Sequence, residues 1–168
     1  MPEVVSDTSP LQYLHQAGLL HLLPGLYGSI IVPAAVAAEL DRGISLGFAL
    51  PDVHTMPWVH VVGPCPTLTS PLPADFGAGE RDVLMLAART PNSLALIDDA
   101  RARHYARLLG IKLTGTLGIL VKAKQQGHLP AVLPVLETLE SLGFFLDPTT
   151  RASLLRLANE GSDLPAWP

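Results

Sequence analysis

Asp7 closes the short β-favouring run 3–6, and the pair Asp98-Asp99 closes the apolar run 94–97. In a parallel sheet every strand ends on the same side, so carboxylates that finish two strands can meet although they lie far apart in sequence. Glu39 and Glu80 fall in helix-forming stretches that could border the same edge. Glu80 stands in the first turn of its helix, after Gly77-Ala78-Gly79, where the helix dipole favours negative charge. Carboxylates packed together repel, and their pKa values rise unless a cation relieves them. Hard cations such as Mg²⁺ take oxygen ligands and keep several waters. Such a site can acidify a water and stabilise charge on a phosphodiester, so the chemistry within reach is metal-assisted hydrolysis. Each acid also has a structural reading: Asp7 caps the first helix, Glu80 complements a dipole, Glu39 is solvated, and Asp99 caps the helix that follows.

A second group is basic. Arg101, Arg103, His104 and Arg107 follow the Asp98-Asp99 turn, with Lys112 beyond. At helical spacing Arg103 and Arg107 share a face, with Arg101 and His104 on adjacent rows. They read as phosphate contacts near the acids or as a solvated helix face with internal ion pairs. Lys122 and Lys124 could extend the path. Other chemistries find less support. His15, His21, His54, His60, His104 and His128 show no paired ligand spacing. Ser6, Ser9 and Cys65 lack the context of a nucleophile, and the glycines at 115 and 118 come without a phosphate-loop lysine.

The elements that must position these residues alternate. A strand at 3–6 leads into a helix opened by Ser9-Pro10, and a second short helix spans 19–23, closed by Pro24-Gly25. A strand at 29–32 precedes a helix at 34–41. Pro51, Pro57, Pro64, Pro66, Pro71 and Pro73 then punctuate an insert at 43–78, leaving room for one short extended piece at 58–62. A helix at 79–89, a strand at 94–97, a helix at 101–109, a strand at 111–113 and a helix at 116–126 follow. Amphipathic helices at 130–142 and 148–159 flank 144–146, so C-terminal helices occupy about 130–160. The expected fold class is α/β: three layers, α/β/α, around a central, mostly parallel sheet of four to five strands.

The chain of 168 residues has the size of a single domain, expected to span 1–168. It is 48% apolar and 15% charged, a globular composition. No apolar run reaches the roughly 18–20 residues of a membrane-spanning helix. One cysteine excludes an internal disulfide and a cysteine-built zinc site. With Glu3 at the start and no leader pattern, the expectation is a cytoplasmic protein with no membrane segment. The net charge of −4 argues against tight non-specific binding of nucleic acid, but clustered carboxylates recover charge by holding cations.

Four segments together resemble one family. VVSDTSPL at 4–11 looks like the opening strand and turn of PIN domains, and VPAAVAAEL at 32–40 is similar to the helix carrying that family's second acid. GAGERDVLMLA at 77–87 resembles the glycine-glutamate motif of a bacterial and archaeal PIN-like branch, and 94–127 resembles its most distinctive block. The match runs from about 4 to 146, with its motifs in order. The resemblance implies metal-binding and catalytic roles for Asp7, Glu39, Glu80 and Asp98, with Asp99 as the alternative to Asp98 and Asp82 competing with Glu80. It implies support from the hydroxyls of Thr8, Ser9 and Thr116. It also implies Mg²⁺ or Mn²⁺ as cofactor, an RNA substrate, endoribonuclease activity as the toxin of a toxin–antitoxin pair, an antitoxin partner, and a homodimer formed through the helices at 11–23 and 130–142. The alternative is a non-catalytic PIN-like module binding RNA or protein; a small-molecule hydrolase is a third reading.

Overall fold

The computed structural model of the chain describes residues 1–64 and 72–161, so Cys65, Pro66 and Pro71 lie outside the described residues. Five strands form one sheet: β1 (Val4–Ser6), β2 (Ile30–Pro33), β3 (Val59–Val62), β4 (Leu94–Leu96) and β5 (Lys112–Thr114). Their order is β3-β2-β1-β4-β5, and every neighbouring pair is parallel. β1 sits at the centre and is buried along its length, which explains a sequence without polar alternation. From β1 the sheet grows one way through β2 and β3 and the other way through β4 and β5. Crossovers leaving β1 in both directions, with the right-handed sense that parallel connections take, account for helices on both faces. This is the three-layer α/β/α class expected, with a wholly parallel sheet.

Packing divides the chain into two compact units, residues 1–116 and 117 onward. The first unit holds the sheet with α1 (Thr8–Gln16), α2 (Leu22–Tyr27), α3 (Ala34–Ser45), α4 (Ala78–Arg89) and α5 (Ala100–Leu108). Its core includes Leu11 and Leu14 of α1, Leu40 of α3 and Leu84 of α4, all fully buried. Each such side chain contributes about 1.5–3 kcal/mol relative to exposure. The second unit holds α6 (Thr116–Gln125) after its first residue, α7 (Leu133–Ser141) and α8 (Pro148–Leu157). Glu160, just past α8, accepts from Lys124 Nζ at 2.6 Å, the Val132 amide at 2.6 Å and the Leu133 amide at 2.9 Å, and so ties three stretches of this unit together.

Several boundaries move from the expected ones. The second helix starts at Leu22 and contains Pro24-Gly25 instead of stopping there. Pro24 falls in its first turn, where no intrahelical donor is lost, and Gly28 with φ of 75° ends it. α3 runs past Asp41 to Ser45, carrying Gly43 inside it. The proline-rich stretch accordingly holds the end of α3, a 3-10 turn at Val53–Thr55 and β3. α7 begins at Leu133 instead of Pro130, with Pro134 in its first turn. In the segments expected as dimer contacts, 11–23 and 130–142, the core takes Leu11, Leu14, Leu22 and Leu23, and Val132, Leu136 and Leu139.

Candidate metal centre

Strand register brings the acids to one edge. Ser6 stands level with Leu96, and Leu96 with Thr114. The Asp7 amide donates to the Leu96 carbonyl at 3.0 Å, and the Ile97 amide to the Thr114 carbonyl at 2.8 Å. Asp7, Asp98 and Thr116 therefore leave the sheet at its carboxyl end, beside the strand where the order reverses. Open parallel sheets bind ligands at this position.

Asp7 is only 5% exposed. Although it occupies the N-cap of α1, its side chain makes no capping hydrogen bond, so the helix-cap reading fails. Burial pushes its carboxyl from the ordinary 3.8 up to about 7; the Thr8 amide pulls it down, and the charges of Glu39, Glu80 and Asp98 push it up again. All three remaining candidates are thus close enough for Asp7 to feel them. Glu39 is anchored by Thr8, whose hydroxyl donates to Oε2 at 2.6 Å. Glu80 reaches back to accept from the Gly77 amide at 3.3 Å, which orients its carboxylate at the start of α4. Asp98 accepts from the Thr116 amide at 2.8 Å and the Thr116 hydroxyl at 2.6 Å. Burial raises the Asp98 carboxyl, while Thr116 and the Arg103 guanidinium work in the opposite direction.

The members of the two ambiguous pairs differ in their surroundings. Asp99 caps α5, accepting from the Ala102 amide at 2.8 Å, while Asp98 is the member whose charge reaches Asp7. Asp82 is raised by burial and opposed by Arg81, whereas Glu80 is the α4 acid felt at Asp7. Ser9 is half-buried next to Thr8 in the first turn of α1, and among the described residues it bonds none of the four acids.

The basic group divides as well. Arg103 is half-buried, donates to the Ile97 carbonyl at 2.8 Å and supports the charge of Asp98. Arg101 is paired with Asp75 at 2.6 Å and lies 4.5 Å over the Phe76 ring, a clamp for which the sequence carries no spacing signal. His104 and Arg107 are exposed on α5. Lys112 bonds Asn92, and Lys124 is committed to Glu160, which removes it from the candidate path. The histidines offer no metal set: His21, His54, His60, His104 and His128 are exposed, and His54 pairs with Asp41 at 3.1 Å.

The donor set suits a hard divalent cation, being all carboxylate and hydroxyl oxygen. A buried Asp7 carboxyl surrounded by three other acids is a group that a cation would relieve. Among the described residues, however, no three histidine, cysteine or carboxylate side chains already stand close enough to share one ion. A family model described as a PIN domain matches residues 3–160. Neither the curated proteins nor the solved structures contain a match.

Proposed function

The chain belongs to the PIN-domain family, whose members are generally nucleases, and from that premise we propose that it hydrolyses RNA phosphodiesters with Mg²⁺ or Mn²⁺. Asp7, Glu39, Glu80 and Asp98 would hold the cation. The observation that carries the reading is Asp7: a buried carboxyl at the sheet's switch point that feels three other acids. The finer role, the toxin of a toxin–antitoxin pair, rests on the sequence resemblance.

A divalent cation at this edge would supply Lewis acidity toward the phosphodiester and an acidified water. The protein's own residues set the stage for it. Thr8 fixes Glu39, Thr116 fixes Asp98 through two hydrogen bonds, and Arg103 steadies Asp98 from behind. Arg107 and His104, exposed on α5, would meet the RNA backbone. Water, not a side chain, would be the attacking group, with no covalent enzyme intermediate.

The purified chain should cleave structured RNA with MgCl₂ or MnCl₂ and stop on addition of EDTA. Asp7→Asn should lower the rate by about 100-fold or more, as loss of a charge-stabilising group in a reaction centre does. Equal cleavage by the two proteins would remove the catalytic assignment. One observation favours a second reading, a non-catalytic module that binds RNA or protein: the carboxylates are not gathered in threes. RNA binding without cleavage, and without uptake of Mn²⁺, would select it.

A further inference from the structure

Gly79 and Gly115 have no backbone reason to be glycine. Gly18 and Gly110 adopt φ of 71° and 69°, where other residues are strained, but neither Gly79 nor Gly115 has a left-handed φ. Gly79 is the second residue of α4, where alanine is the better helix former. Conformation does not account for glycine at either place.

Each glycine faces a site carboxylate. A Cβ on Gly79 would stand 2.7 Å from Glu39 Oε1 and 3.0 Å from Oε2. A Cβ on Gly115 would stand 2.6 Å from Asp98 Oδ1, 2.9 Å from Arg103 Nη1 and 3.0 Å from the Ile97 carbonyl oxygen. These separations lie well inside the ~3.5 Å at which non-bonded carbon contacts settle. We propose that Gly79 and Gly115 are positioning residues of the metal centre: their missing side chains are the space into which the Glu39 and Asp98 carboxylates fit. The inference rests on the metal reading above and names what sets the place of two of its four ligands.

The two positions should respond differently. Glu39 has a long side chain, held opposite Gly79 by the Thr8 hydroxyl at 2.6 Å. A methyl group at 79 would swing that carboxylate aside at little cost to the fold. Asp98 is short and pinned by Thr116, and the Ile97 carbonyl lies beside it. A methyl group at 115 must disturb backbone, so Gly115→Ala should lose stability and metal affinity together. Gly79→Ala is therefore the cleaner probe.

The test is calorimetric titration of the full chain with MnCl₂, alongside thermal melting. Gly79→Ala should weaken Mn²⁺ binding about 10- to 100-fold, the usual effect of disturbing a ligand's support, with a melting temperature at or above wild type. Glu39→Asp withdraws the carboxylate from the contact, so adding Gly79→Ala to Glu39→Asp should cost nothing further. Wild-type-like affinity in Gly79→Ala, or an equal loss in the Glu39→Asp background, would overturn the inference and leave the metal reading intact. A wild-type chain that takes up no Mn²⁺ would overturn both.

Discussion

Asp7 is placed where an ionised carboxylate is expensive. Its carboxyl is raised from 3.8 to about 7 by burial first and by the neighbouring acids after it, whereas the unfolded chain keeps the ordinary value. Between these pH values the folded protein holds a proton that the unfolded chain has released. Stability from this group is therefore complete below about pH 4 and is lost as pH rises through about 7. The metal-free Asp7→Asn protein should match wild type near pH 3.5 and exceed it at pH 8 by roughly 4 kcal/mol, from about 1.4 kcal/mol per pKa unit. Denaturant melts across that range would check it. Unchanged relative stability would show that Asp7 is not strained in the fold. Saturating Mn²⁺ should reverse the order, because only wild type gains the linkage stabilisation of a bound ligand. Functional sites often hold strain of this kind at a cost to the fold.

At the scale of elements, the turn after β4 carries two adjacent acids with different tasks. Asp99→Ala removes the cap of α5 and should cost about 1 kcal/mol of stability while leaving Mn²⁺ affinity nearly unchanged. Asp98→Asn should do the reverse. Melting and metal titration of the two variants separate the roles, and a large affinity loss in Asp99→Ala would contradict the assignment. The sequence could not make this choice, because both residues end the same run and only the chain's direction leaving the strand decides it. The strands were legible for a physical reason: parallel strands buried on both faces read as short apolar runs. Helix ends were less so. Pro24-Gly25 and Gly43 look like stops, yet a first-turn proline loses no hydrogen bond, and one glycine costs a helix only about 1 kcal/mol. The acids' types and rough places could be read from the chain. The resemblance implied that Thr8 and Thr116 support them, but not which acid each would meet: Thr8 meets Glu39 across 31 residues, and Thr116 meets Asp98 across 18. The purpose of Gly79 and Gly115 was not legible, because a missing side chain shows it only against the atoms that fill its place.

For the whole molecule, charge sets how RNA can be held. The chain carries 11 lysines and arginines against 15 acids, a net charge of −4. Arg101 is tied to Asp75, Lys124 to Glu160 and Arg151 to Glu140, which draws three of these cations away from phosphates. With about three phosphate contacts, the slope of log affinity against log salt should be about −2 for single-stranded RNA. Fluorescence anisotropy in graded KCl would measure it, and a slope of about −5 or steeper would require a basic surface that this account lacks. Affinity on this view comes in good part from the metal centre. No helix among the described residues is long and apolar enough to cross a membrane.

All of this depends on a cation lying where β1 and β4 end. Crystals soaked in MnCl₂ and measured at the manganese absorption edge would locate it directly. The account expects an anomalous peak bounded by Asp7, Glu39, Glu80 and Asp98, and absent from Asp7→Asn crystals. No peak there, or one that persists unchanged in the variant, would contradict it.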